Sequence, residues 1–236
     1  MAILSRMPAV VVRPSQLLPF GERWSANGGK LSRTPPNSSS QLGHVFDEAV
    51  GRALSLMLGN VPVVPPINAD ALVAPEADCV EVGPTRIIGG IRAQNFDVCY
   101  RPDGIRFTFD SKTLNDAKSV QKNYQNMIND LATEATTVHT RFPYAIVGFM
   151  VVIPKPCLSE PQRSVLIRTL DRLAKRVNVT NLFHLAEAIS LVVWHPETGD
   201  IDAHIPPEKS KLRIENFSGF VETAYLTRYE GFPPHG

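Results

Sequence analysis

Ala145 to Pro154 reads AIVGFMVVIP, ten residues without a charge and rich in β-branched side chains. A strand that is apolar at every position, rather than at alternate ones, is buried on both faces. A sheet with such a strand needs helices on both sides, and that excludes a simple sandwich with a wet face. The run is about half the ~20 residues that a helix needs to cross a bilayer. The N-terminal stretch MAILSRMPAVVVRPSQ is interrupted by Arg6, Pro8 and Arg13, so it does not read as a signal peptide. The expectation is a soluble protein of the cytoplasm with no membrane partner.

The surrounding pattern supplies the rest of an α/β layer. Leu42, Val45, Phe46, Ala49, Val50, Ala53, Leu54 and Met57 follow helical spacing over 41–58, and Gly59-Asn60 stops them. His44, Glu48 and Arg52 make a polar stripe at four-residue spacing. Residues 92–100 and 105–113 alternate, joined by Arg101-Pro102-Asp103-Gly104, and read as a β-hairpin. A helical pattern then runs from Ala117 to Arg141, ahead of the buried strand. Residues 60–90 read as loop. A further amphipathic helix is expected over 160–177, with Arg163, Arg168, Arg172, Lys175 and Arg176 away from its apolar side. Residues 188–205 read as a second hairpin turning at Pro196–Gly199, and a short helix closes the chain near 219–229. The chain therefore divides into an extended N-terminal arm or cap (1–40), a core (41–205) and a C-terminal extension with a short helix (206–236).

Charge narrows the partners. Lys and Arg total 24 against 23 Asp and Glu, a formal net charge of +1. Bulk charge therefore does not hold this chain to nucleic acid, and any such contact needs a local basic surface. The exposed candidates are Lys122 and, on the 160–177 helix, Arg168, Arg172 and Lys175. Three cysteines without a Cys-x-x-Cys spacing point away from a disulfide framework and a structural zinc site.

The first hairpin carries the chemistry. With Tyr100 opposite Ile105, paired numbers sum to 205, and Phe96, Val98, Tyr100, Ile105, Phe107 and Phe109 share one face. Asp97 then stands opposite Thr108 on the other face, with Asp110 diagonal to it and Lys112 following Asp110. Two neighbouring carboxylates are costly unless a cation neutralises them, and oxygen donors suit Mg²⁺. An adjacent lysine could orient a water or stabilise a phosphate oxygen. The plain alternative is a solvent-facing salt-bridge cluster.

Asp97, a twelve-residue gap and then Asp110-Ser111-Lys112 resembles the signature of the PD-(D/E)xK nuclease superfamily, which includes most type II restriction endonucleases. The order helix, hairpin, crossover helix and buried strand over 41–154 is similar to the core of that superfamily. Phe96 stands where the motif's proline would be. The resemblance implies a restriction-endonuclease-like α/β core with a mixed central sheet flanked by helices. It implies Mg²⁺, with Mn²⁺ as a substitute, held by Asp97, Asp110 and the Ser111 carbonyl, with Lys112 assisting the water. Some members add a first-helix glutamate, for which Glu48 is the candidate, and others a polar residue early in the crossover helix, where Gln121 sits. The function implied is a DNA endonuclease cutting double-stranded DNA, of type II restriction kind in bacterial or phage defence, and acting as a homodimer. A catalytically silent DNA-binding or assembly module on the same fold, or a structure- or RNA-directed repair nuclease, are the rivals.

Two decoys stand beside it. Asp116-Ala117-Lys118 repeats the acid-x-lysine but opens a helix and lacks a facing acid, so it reads as helix-start charge. His195, Asp200, Asp202 and His204 share one face of the second hairpin if His195 faces Asp200. Their separation favours an exposed polar edge over a zinc site.

Overall fold

A computed structural model describes residues 4–32, 34 and 37–235, with Gln121 described by its backbone alone. In chain order the elements are α1 (Pro14–Ala26), α2 (Ser38–Met57), β1 (Val63–Val64), β2 (Val80–Ile88), β3 (Ala93–Tyr100), β4 (Phe107–Thr113), α3 (Val120–Arg141), β5 (Ile146–Pro154), α4 (Glu160–Leu173), β6 (Ala188–Trp194) and α5 (Ile214–Tyr229). The strands form one mixed sheet in the order β1-β2-β3-β4-β5-β6. The pairs β2–β3 and β3–β4 are antiparallel, and β1–β2, β4–β5 and β5–β6 are parallel. The chain is thus α/β, a mixed sheet flanked by helices. No helix among the described residues is long and apolar enough to cross a membrane.

Every residue of β5 is buried, as its unbroken apolar run requires, and so is every residue of β6. Each fully buried aliphatic or aromatic side chain contributes roughly 1.5–3 kcal/mol. Helices α2 and α5 cover one face. On that face Phe109 meets Phe217 edge-on at 5.7 Å and 83°, and Gly43 and Gly51 let α2 lie close to the sheet. A Cβ on Gly43 would stand 2.7 Å from Ser111 Oγ, and one on Gly51 2.4 Å from Val82 Cγ2. Helix α3 covers the other face and packs beside α4.

The alternation of the first hairpin puts Phe96, Val98, Tyr100, Phe107 and Phe109 together in the core, but its register differs from the expected one. The pairs are Val98↔Phe109, Cys99↔Thr108 and Tyr100↔Phe107, so paired numbers sum to 207. A two-residue slip leaves every side chain on its original face, which is why alternation alone does not fix it. The connection is longer than the expected turn, and the backbone of Arg106 still bridges the sheet, its N–H on the Tyr100 carbonyl (3.0 Å) and its carbonyl accepting the Ile146 N–H (2.8 Å). Its guanidinium is buried against Asp103, Tyr225 Oη and the Pro233 carbonyl.

Four further expectations are corrected. Residues 80–88 are not loop but β2, which survives Gly83-Pro84 through a bulge between Val82 and Thr85. Gly83 (φ +134°) and a proline without a donor are tolerated there. Residues 14–26 form a helix rather than an extended arm. Pro14 starts it, and Trp24 Nε1 donates to the Asn115 carbonyl at 2.8 Å. The C-terminal helix spans 16 residues, not the last eleven. The second hairpin keeps its expected register at Trp194↔Ile201, yet the return strand is only that single bridge. Its residues form no zinc set. Asp200 and His204 are exposed as the edge reading expects, but Asp202 is buried and shared by Lys155 (2.8 Å) and His195 (3.0 Å).

Arg176 also departs from its expected place on a solvated helix face. The helix ends at Leu173, and Arg176 is buried with its Nε 3.0 Å from Glu187 Oε1. Arg228 Nη1 (2.8 Å) and His139 Nε2 (3.3 Å) approach the same carboxylate, which also accepts the Val147 N–H at 2.8 Å. Burial acts to raise Glu187, but its hydrogen bond and charge contact with His139, together with Arg228, hold it below the usual carboxylate range. This cluster ties α3, β5, β6 and α5 together. Glu187→Ala strands two buried guanidinium groups and is expected to cost about 3–5 kcal/mol in urea unfolding. A cost under about 0.5 kcal/mol, the scale of ordinary surface changes, would show the arginines to be hydrated instead.

Candidate active site

The sheet is continuous between β3 and β4 for only three residue pairs, after which the strands part. Asp97 and Asp110 are the next pair in that register and stand where the ladder stops. Asp97 replaces the missing backbone partner with its side chain. Its Oδ2 accepts the Ser111 N–H at 3.0 Å and lies 3.3 Å from Ser111 Oγ. The carboxyls of Asp97 and Asp110 are hydrogen-bonded to each other. Lys112 follows Asp110 on the same face, its Nζ against Asp110 Oδ2 and 2.8 Å from Glu134 Oε1 on α3.

The structure therefore brings Asp97, Asp110 and Lys112 together, closer than the diagonal expected from the sequence. It also removes the solvent-facing alternative, because Asp110 on β4 and Glu134 on α3 are both buried where the helix meets the sheet. Glu48 is not at this site. Its carboxylate is 44% exposed and engages His44 Nε2 (3.3 Å) and Arg52 Nη2 (3.4 Å). The α2 residue that faces the site is the preceding one, Asp47, which is buried and turned to the Ser111 hydroxyl, with Oδ1 lacking a hydrogen-bond partner among the described residues. Asp47 lies four residues from both Gly43 and Gly51, on the helix stripe that touches the sheet. That spacing of small residues was the available signal. Glu134 left none, since an acid within the polar part of a long helix reads as solvated.

The Gln121 side chain lies outside the described residues. Lys122, Arg168, Arg172 and Lys175 are exposed, and no ion pair among the described residues joins them to the acids. In the decoy Asp116-Ala117-Lys118, Asp116 Oδ1 accepts the Lys118 N–H at 3.0 Å in the turn before α3, as a helix-start residue does.

Two carboxyls, Asp110 and Glu134, contact the Lys112 ammonium, with Asp97 beside Asp110 and Asp47 beyond Ser111, and the electrostatics follow. Burial and the neighbouring Asp110 push Asp97 up to about 8. Burial also lifts Asp110 to about 6, against the opposing pull of Lys112. Burial and Asp97 hold Asp47 well above the usual carboxylate range. For Lys112, burial acts to lower the ammonium, but Asp110 and Glu134 together overcome it and keep it charged. Near neutral pH the acid pair thus retains a proton, a charge balance that a hard divalent cation would supply equally well. The donors that fit are the two aspartates, with the unpartnered Asp47 Oδ1 nearby. Among the described residues no three or more His, Cys, Asp or Glu side chains form a ready metal cage.

No family model matches the chain, and searches of the curated proteins and of the solved structures return no match.

A pH dependence follows from Asp97. A carboxyl bound more tightly to its proton in the folded chain (about 8) than in the unfolded one (near 3.8) favours folding below pH 4, and that advantage is lost as pH rises to 8. Asp110 adds the same trend between about 4 and 6. In EDTA the thermal midpoint should fall from pH 5 to pH 8, and Asp97→Asn, which cannot ionise, should flatten the slope. A wild-type midpoint that rises across this window would mean that the pair is ionised and hydrated.

Proposed function

We propose that this chain is a Mg²⁺-dependent nuclease that hydrolyses DNA phosphodiester bonds, with the superfamily resemblance described above naming the substrate. The observation that carries this reading is the meeting of Asp97, Asp110 and Lys112 at the point where β3 leaves β4. A cytoplasmic type II-like restriction enzyme, acting on double-stranded DNA as a homodimer, is the cellular setting that goes with it.

In this reading Asp97, Asp110 and the Ser111 carbonyl hold the cation, which when bound supplies Lewis-acid polarisation and activates water. Ser111 fixes Asp97 through its N–H, so one acid is anchored to the backbone of the strand that carries the other. Lys112 remains charged and offers a fixed positive donor where the phosphorane gathers negative charge. Such a donor needs no proton of its own to leave, which assigns Lys112 electrostatic work rather than general-base work. Asp47, from α2, adds a buried oxygen on the far side of Ser111.

One observation favours a second reading, the silent DNA-binding module. The Lys112 ammonium already pairs with both Asp110 and Glu134, an arrangement of charges that would stand without metal.

Single-turnover cleavage of supercoiled plasmid at saturating Mg²⁺ separates the two. Asp110→Ala should abolish cleavage, and Lys112→Ala should lower the rate about a hundredfold or more, the scale of a lost electrostatic or acid–base contact. Lys118→Ala should change it little, and EDTA should stop the reaction. Undiminished cutting in EDTA would overturn the metal reading. Loss of activity in Lys118→Ala but not Lys112→Ala would place the site on the other acid-x-lysine. No cutting by the folded wild type would favour the silent module.

A further inference from the structure

Lys112 is held by two buried acids from two different elements, one on its own strand and one on the helix above. Its Nζ lies against Asp110 Oδ2 and 2.8 Å from Glu134 Oε1, with the lysine side chain only 22% exposed. Asp110 is also the carboxyl shared with Asp97. The ammonium therefore takes one of the two oxygens of the carboxyl that a divalent cation between the aspartates would share. Two positive charges in contact within a partly buried site repel strongly, so ammonium and divalent cation are alternatives at Asp110.

Glu134 supplies the other half of the device. Lys112 is its one ion-pair partner among the described residues, and it uses Oε1 alone. Its second oxygen is buried with no hydrogen-bond partner among the described residues. A buried carboxylate oxygen left unpaired is costly, and it gains a partner if the ammonium moves fully onto Glu134. The lysine thus has one anchor that a metal would take and one that a metal would leave free.

Building on the reading of Asp97 and Asp110 as a metal site, we infer that Lys112 is the resident cation of the acid pair and that Glu134 is the positioning residue that draws it off Asp110 when a divalent cation binds. Lys112 and Glu134 then set the cation affinity of the site against each other. Lysine on Asp110 opposes binding, and Glu134 relieves that opposition.

The test is a double-variant cycle on Mn²⁺ affinity, read from the electron paramagnetic resonance signal of the free ion at pH 8 without nucleic acid. Lys112→Met should tighten Mn²⁺ binding by about tenfold or more, and Glu134→Gln should weaken it by about tenfold, a normal coupling for charges in contact. In the Lys112→Met background Glu134→Gln should have no effect, because there is no ammonium left to draw away. Circular dichroism checks each fold. Lys112→Gln, which keeps a donor for both carboxyls, replaces Lys112→Met if the latter unfolds. Equal weakening by Glu134→Gln in both backgrounds would overturn the inference and make Glu134 a direct ligand or a plain source of field. Mn²⁺ binding that Lys112→Met leaves unchanged would overturn it too, with the metal reading intact. Absence of Mn²⁺ binding in all four folded proteins would bring down the metal reading and the inference together.

Discussion

The site depends on where two strands stop pairing. β3 and β4 share three residue pairs and then diverge, β3 continuing with β2 and β4 continuing with β5. At the fork a backbone donor, the Ser111 N–H, would be left without a strand partner. The Asp97 carboxylate takes it, and the requirement that buried backbone groups be paired thereby becomes the means of placing an acid. Without the fork, Asp97 would be one more side chain on a continuous ladder. With it, Asp97 and Asp110 stand side by side at an opening in the sheet.

Burial then does the electrostatic work. α3 lies over Asp110 and Lys112, and α2 brings Asp47 to the opposite side of Ser111. Each helix adds an acid to a place already acidic, with Lys112 set against Asp110 and Glu134, and His44 4.0 Å from Asp47. The unfavourable charge is absorbed in two ways, by holding a proton on the acid pair and by tightening the Lys112 ion pairs. A fold with no use for such an arrangement gains stability by replacing it with apolar side chains. The cluster of Glu187 with Arg176, Arg228 and His139 is a contrast. There cations surround a carboxylate, and the result is a brace between elements rather than a site short of positive charge.

Close approach of α2 is the second requirement. Gly43 and Gly51 remove the Cβ atoms that would strike Ser111 and Val82, and the intervening turn can then present Asp47 to the sheet. His44, Glu48 and Arg52, one position further round, remain in solvent and satisfy each other. A rotation of one residue about the helix axis separates a surface ion pair from a buried acid.

What the sequence determined by itself was whatever depends on local period and polarity. The unbroken apolar run became β5, the alternation of 92–113 set which face carries Asp97, Asp110 and Lys112, and helical spacing located α2 and α3. The acid-x-lysine of the hairpin was distinguishable from its decoy because strand and helix-start contexts differ within a few residues. Only the tertiary structure decided the rest. Registers two apart place the same side chains on the same face, so alternation does not choose the one that sets Asp97 beside Asp110; that choice is made by the folded sheet. β2 was hidden by Gly83-Pro84, whose bulge is stable only because β3 lies alongside. Whether Asp47 or Glu48 faces the sheet, and whether Glu134 meets a lysine or water, depends on how close and at what rotation the helices dock. That is settled by packing between segments far apart in the chain, which no local pattern records.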